Sequence, residues 1–220
     1  MALAETSTYR HLSQSIDKNM PMKNMPMKNK SIKLAAIVMA AYLLMHGPLS
    51  QAQTALARIE SSIAEDSQIV QISSDAVLDL LDDNAGKVLL FDVREQDEFA
   101  VSHLPGAIRL APDASVDQFY EIYGTRLEGV MPIFYCSVGR RSNALAEAVA
   151  AQGRLNTKRQ PITPTNLRGG IFRWHNEAKP LVNVQGTTDQ VHPYNWFWRR
   201  MLEHPDRSAY APAASATPLP

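Results

Sequence analysis

From residue 69 onward, short apolar runs of strand length alternate with stretches whose apolar residues recur at the helix period. Ile69-Val70-Gln71-Ile72 is a strand candidate, and Ser73 or Ser74 caps a helix on which Val77, Leu78, Leu80 and Leu81 share a face. Val88–Phe91 is a continuous apolar run, as expected of a strand covered on both faces. Glu95–Ser102 reads as a helix that stops at the breaker His103-Leu104-Pro105-Gly106. Ala107–Leu110 is the next strand and Val116–Tyr123 the next helix. Met131–Tyr135 is a further buried strand, running directly into Cys136. Asn143–Gln152 has the apolar stripe of a helix, with Gly153 placed to close it. A polar, proline-containing loop over 154–166 leads to a last short strand at Asn166-Leu167. Gly169-Gly170 then opens a final helix carrying Ile171, Phe172 and Trp174. This alternation predicts an α/β fold with an open, mainly parallel sheet of five strands flanked by helices, whose ligands bind at the carboxyl ends of the strands. Cys136 stands at one of those ends.

The ends of the chain read differently. Lys23, Lys28, Lys30 and Lys33 precede an unbroken apolar run, Leu34 to Met45. His46-Gly47-Pro48 breaks it, and Ser50-Gln51-Ala52 has the small residues of a cleavage site. Residues 1–52 therefore read as an N-terminal extension with an export signal, which predicts a periplasmic protein. The alternative is an uncleaved anchor facing the periplasm, but twelve helical residues reach only about 18 Å against a hydrocarbon core of about 30 Å. No stable membrane span is expected once the signal is removed. Asn19–Lys23 and Asn24–Lys28 repeat N-M-P-M-K, a local duplication whose internal methionines also offer later start points, Met20 among them. Residues 53–68 are polar and read as a lead segment. The domain proper is 69–183, followed over 184–220 by an aromatic extension ending in an Ala/Pro-rich tail from 208 that is expected to be disordered. The cluster His192-Pro193-Tyr194-Asn195-Trp196-Phe197-Trp198-Arg199-Arg200 should pack back on its own domain; docking of a protein partner is the alternative.

Charge balances over the whole chain, with 22 basic and 22 acidic residues. The basic surplus lies in 1–52, which leaves 16 basic and 20 acidic residues downstream. Such a body has no attraction for nucleic acid. The single cysteine excludes an internal disulfide, and the absence of C-x-x-C excludes a thioredoxin-like pair or a zinc cluster. No metal or cofactor is expected.

A lone thiol in an oxidising compartment is a liability unless it is buried or used. The segment Cys136-Ser137-Val138-Gly139-Arg140-Arg141-Ser142 joins a strand to a helix. A helix N-terminus favours a thiolate, Gly139 lets the backbone curl, and the arginines add permanent positive charge and forks suited to an oxyanion. An inert buried thiol is the usual state of a free cysteine, but this neighbourhood argues for use.

The pattern C-x-x-G-x-R at Cys136–Arg141 resembles the active-site loop of rhodanese domains. Asp92-Val93-Arg94-Glu95 with Glu98-Phe99, His103-Leu104-Pro105-Gly106-Ala107-Ile108, and Asn166-Leu167-Arg168-Gly169-Gly170-Ile171 with Trp174 resemble the family's other motifs in the expected order. The resemblance covers about 69–183. It implies a rhodanese-like fold and a thiosulfate sulfurtransferase: Cys136 takes the outer sulfur of thiosulfate or a similar small anionic donor as a persulfide, then yields it to cyanide or a thiol. By the same resemblance Cys136 is catalytic, and Ser137, Val138, Gly139, Arg141 and Ser142 bind the donor, with Arg140 at a variable position. Asp92 and Arg94 brace the loop. Two other readings stand beside it. One is a rhodanese-like carrier or partner-binding module without turnover. The other is a phosphatase or arsenate reductase, disfavoured because the related loop is C-x5-R while Arg141 follows Cys136 by five positions, giving C-x4-R. His103 is expected to pack at its turn, because a pre-formed thiolate needs no general base, and His175 to lie on the surface.

Overall fold

The computed structural model describes residues 51–83, 86–155 and 161–212. The apolar run and basic segment expected to form the export signal lie outside the described residues. Among the described residues no helix is long and apolar enough to cross a membrane.

A parallel sheet forms where the apolar runs fall. Its strands are β1 (Val70–Ile72), β2 (Val88–Asp92), β3 (Ile108–Arg109), β4 (Met131–Tyr135) and β5 (Thr165–Leu167), in the order β1-β5-β4-β2-β3. All four pairings are parallel, with Val88 opposite Met131 and Ile133 opposite Thr165. Cys136 thus leaves the carboxyl end of the central strand. Strand pleating divides the core in two. Leu90, Ile133 and Tyr135 face one layer with Val77, Phe172 and Trp174, while Phe91 and Phe134 face the other with Phe119, Val149 and Ala150. The helices supplying these layers are α2 (Ser74–Asp83), α3 (Gln96–Val101), α4 (Val116–Tyr123), α5 (Arg140–Leu155) and α6 (Gly170–Asn176), preceded by α1 over 51–66.

Several elements differ from the sequence expectation. The polar lead is largely helix α1, and its apolar residues Ala52, Leu56, Ile59 and Ile63 follow the helix period. Leu56 is wholly buried, and Ile63 lies under the catalytic-loop candidate, near where a Cβ on Gly139 would sit. Helix α5 begins at Arg140, not Asn143, so both arginines and Ser142 form its first turn. Gly153 does not end that helix but lies inside it, where a Cβ would meet the Tyr120 hydroxyl at 2.5 Å. Beyond α6 the chain forms an antiparallel hairpin, β6 (Leu181–Asn183) and β7 (Gly186–Thr188), which spans the position where the sequence puts the end of the domain. His103 and Val182 exchange backbone hydrogen bonds of 2.9 and 3.0 Å, fixing the hairpin to the turn after α3.

The aromatic extension folds back on the domain. Val191, Met201 and Leu202 are buried in the layer that holds Trp174. Asn176 ties the extension to α6, donating from Nδ2 to the Met201 carbonyl and accepting at Oδ1 from the Glu203 N–H, each at 2.9 Å. Residues 208–212, expected to be disordered, are placed: the Ala209 N–H donates to the Val191 carbonyl and Tyr210 packs edge-on against His192. The rest of the Ala/Pro tail lies outside the described residues.

Truncating Leu56 to alanine should destabilise the protein by about 2–5 kcal/mol, the range for emptying a buried leucine site. Chemical denaturation of the full chain checks this; a change within about 0.5 kcal/mol, as at a surface site, would mean that α1 contributes little to the core.

Candidate active site

The loop after β4 is shaped by contacts on its outer side. The N–H groups of Ile171 and Phe172, in the first turn of α6, donate to the carbonyl oxygens of Cys136 and Ser137 at 2.9 and 3.0 Å. This approach requires Gly170. Its φ is +55°, and a Cβ there would lie 2.2 Å from the Cys136 oxygen. Further along the loop, the Gly139 N–H donates to the Cys136 Sγ at 3.2 Å. Gly139 itself has φ +94°, and its carbonyl accepts from the Asn143 N–H and from Asn166 Nδ2.

Cys136 is 1% exposed, at the floor of a cavity of about 200 Å³ lined by Ser137, Val138, Arg140, Arg141, Tyr194 and Trp198. Ser142 does not face this cavity. It is buried and donates to Asn166 Oδ1 at 2.6 Å, so it secures the loop to β5. Gly139 contributes its amide to the sulfur and is not among the lining residues.

The charges are arranged in two layers. Asp92 and Arg94 form a fully buried pair at 2.6 Å, and Arg94 Nη2 also donates to the Ser102 carbonyl at 2.6 Å, so this pair braces the turn after α3. Burial opposes the Arg94 charge, but Asp92 outweighs it and its pKa is raised. Tyr135 is pushed well above its ordinary pKa by burial and by Asp92, and its oxygen accepts from the Leu104 N–H. Nearer the sulfur, Arg141 donates through both terminal nitrogens to Glu98 at 3.0 Å, and through Nη2 to Ser137 Oγ. Ser137 Oγ donates in turn to Glu98 Oε1 at 2.8 Å. Burial works against both charges of the Arg141–Glu98 pair, and their mutual attraction outweighs it, raising the guanidinium pKa and holding the carboxyl below its ordinary range. The Cys136 sulfur is a further cause of the raised Arg141 pKa.

Cations in the first turn of a helix oppose its dipole, at a cost of about 0.3–1 kcal/mol each. Glu98 relieves that cost at Arg141, whereas Arg140 stands exposed at the cavity mouth.

Several contributors were not assigned to the site from sequence. Glu98 stood in a recognised motif, but only tertiary structure pairs it with Arg141. Asn166 likewise stood in a motif without a role. Tyr194 and Trp198 come from the extension, and only their aromatic character hinted at burial. His103 packs at its turn, stacked on Phe99 at 3.8 Å with Nδ1 3.0 Å from the Phe99 carbonyl. His175, expected on the surface, is buried, with Nε2 3.0 Å from the Asp189 carbonyl and its pKa lowered by burial. Its partner carbonyl lies just beyond the hairpin, an element the sequence did not predict.

Fold and loop together define an α/β domain that presents one thiol at the carboxyl end of its central strand, in a cradle closed by a helix N-terminus. Residues 73–177 match the family model of the rhodanese-like domain, and this domain belongs to that family. Similar solved structures include a thiosulfate sulfurtransferase from Pseudomonas aeruginosa, 23% identical with a TM-score of 0.45, the match covering 68% of this chain but only 26% of that one. An As-Sb reductase from Leishmania major is 22% identical with a TM-score of 0.41, covering 47% of this chain and 74% of that one. A rhodanese-like domain protein from Staphylococcus aureus is 23% identical with a TM-score of 0.37, covering 48% and 91%. No curated protein matches the chain.

The Glu98 carboxyl has a lowered pKa in the folded protein, so the unfolded state binds more protons in the window between that value and the ordinary one, about 4.3. Its stabilising contribution is complete above the ordinary value and is lost as pH falls through the folded one. Denaturation of Glu98→Gln beside the parent across pH 3–6 should show the difference in stability shrinking toward the acid end. A difference that stays constant over that range would mean that the charge of Glu98 does not hold the loop.

Proposed function

We propose that this protein is a sulfurtransferase that moves a sulfane sulfur from a small anionic donor to a thiophilic acceptor through a persulfide on Cys136. The observation that carries this reading is the Cys136 sulfur itself: it receives the Gly139 N–H at 3.2 Å on the floor of a cavity lined by Arg140 and Arg141. Amide and guanidinium groups favour a thiolate, and a thiolate is the attacking form.

The steps follow from that arrangement. The thiolate forms a bond to the outer sulfur of thiosulfate, the S–S bond of thiosulfate breaks, and sulfite leaves with the electron pair. The persulfide then carries a negative charge, which the cradle stabilises as it stabilises the thiolate. Cyanide or an acceptor thiolate attacks the terminal sulfur and restores the Cys136 thiolate. No proton has to move in the first step, which fits a cavity without a histidine among its lining residues. The Arg141–Glu98 pair positions Ser137 and the loop, while Arg140 is the cation open to an incoming anion.

We also infer export to the periplasm, from the lysines, apolar run and breaker at the N-terminus. There the chain's single thiol has no disulfide partner within the protein, and burial at the cavity floor would slow its oxidation.

Intact-mass spectrometry of the full chain before and after thiosulfate, beside Cys136→Ala, tests the reaction. The expected result is a gain of one sulfur atom that cyanide removes and the variant does not show. No gain, with Cys136 free and reduced, would overturn transfer from thiosulfate.

A further inference from the structure

The extension that lines the cavity with Tyr194 and Trp198 turns a second face to solvent. Val191, Met201 and Leu202 bury its inner side against the domain. On its outer side Trp196 and Phe197 are 72% and 50% exposed, with ring centroids 6.4 Å apart. The Arg200 guanidinium carbon lies 4.1 Å from the centroid of the Phe197 ring and 5.8 Å from that of Trp196. Tyr194, 45% exposed, continues the patch to the Cys136 cavity. Apolar residues scattered singly on a surface need no explanation, but grouped rings mark a contact site.

The patch is also positive. Residues 190–202 contain Arg199 and Arg200 and no acid. Among the described residues neither arginine has a carboxylate partner. Arg200 Nε donates to the Phe197 carbonyl, and Arg199 donates to the Pro205 carbonyl and to Ser208 Oγ. The acids that bound the stretch are turned elsewhere. Asp189 pairs with Arg207 at 3.7 Å, while Glu203 attracts Arg173 of α6 and accepts from Gln53 Nε2 at 2.8 Å. Exposed rings beside uncompensated guanidinium charge fit the headgroup level of an anionic bilayer, where aromatic rings settle and arginines meet phosphates.

The path of the chain favours that occupant over a soluble protein. Gln53 is in the first turn of α1, so its bond to Glu203 sets the start of α1 beside the segment that carries the patch. The apolar run Leu34–Met45 comes just before, and the five residues 46–50 between them span at most about 18 Å. A bilayer that takes up that run during export is therefore within reach of the patch. We propose that Trp196, Phe197 and Arg200 form a peripheral docking surface for an anionic phospholipid bilayer, the rings entering the headgroup layer and the arginine meeting phosphate. The docked face borders the Cys136 cavity through Tyr194. The proposal rests on the export reading for its setting and does not depend on the sulfur chemistry.

Fluorescence quenching tests the contact at Trp196 itself. The full chain and Trp196→Phe are mixed with vesicles of phosphatidylglycerol and phosphatidylcholine whose acyl chains are brominated near the headgroup, and the difference between the two emissions isolates Trp196. That emission should be largely lost on the mixed vesicles and largely kept on phosphatidylcholine alone. Because the readout is local to Trp196, insertion of Leu34–Met45 does not mimic it. Arg200→Glu should lower the quenched fraction about threefold or more, and Arg200→Lys should retain most of it. Near-ultraviolet circular dichroism checks folding. Should Arg200→Glu fail to fold, salt at about 1 M on the parent decides, because it screens charge beyond about 3 Å. Thiosulfate loading of Cys136 in solution should match the parent in Trp196→Phe and Arg200→Glu, since neither residue lines the cavity; its loss would mean that the patch serves the thiol and not a membrane. Emission unchanged by either kind of vesicle would overturn the proposal and leave the patch to a protein partner. Equal quenching on both, insensitive to Arg200→Glu and to salt, would overturn the anionic assignment.

Discussion

The contact between the start of α6 and the outer side of the Cys136 loop governs the rest of the site. Two N–H groups that α6 leaves unpaired at its first turn are satisfied by the carbonyls of Cys136 and Ser137. Peptide planarity then turns the N–H groups of Ser137 and Val138 the other way, away from α6. The contact exists only because Gly170 brings no Cβ against the Cys136 oxygen. Around it the structure adds supports from two other elements. Ile63 of α1 lies beneath Gly139, Asn166 of β5 holds Gly139 and Ser142, and Glu60 of α1 pairs with Arg173 of α6 at 2.8 Å. Each support would be ordinary alone. Together they hold a small loop in a conformation it has little reason to keep by itself.

Electrostatics divides the labour between the two arginines. Arg141, itself half-buried, faces the buried carboxylate of Glu98, and this pairing satisfies a charge that burial would otherwise penalise. Glu98 also accepts from the Glu95 N–H at the start of α3, so one carboxylate connects a helix cap to the thiol loop. Arg140 has no such enclosure. The site therefore combines a rigid, internally balanced base with one open positive charge at the rim, which suits an anion that must enter and leave.

The extension beyond α6 changes what kind of pocket this is. Parallel α/β sheets leave the carboxyl ends of their strands open to solvent, and ligands bind there. In this chain the segment carrying Tyr194 and Trp198 roofs part of that opening, anchored by Asn176 and by the buried side chains Val191, Met201 and Leu202. An otherwise shallow anion cradle thus acquires an apolar side wall.

The order of strands and helices, the parallel sheet, the position of Cys136 at a strand end and the identity of its loop were all legible in the sequence, because each depends on residues adjacent along the chain. Val116–Tyr123 and Met131–Tyr135 even match the observed elements end to end, since hydrophobic period and local caps mark them clearly. Helix α1 was legible in the spacing of Ala52, Leu56, Ile59 and Ile63, but its many polar residues disguised it as a lead. Tertiary structure alone decided the rest. It paired Glu98 with Arg141 across 43 positions, turned Ser142 away from the cavity toward Asn166, buried His175, and brought Tyr194 and Trp198 over the thiol. Those outcomes depend on which side chains meet after the chain has closed on itself, and hydrophobic periodicity records which face of an element is buried without naming the partner it is buried against.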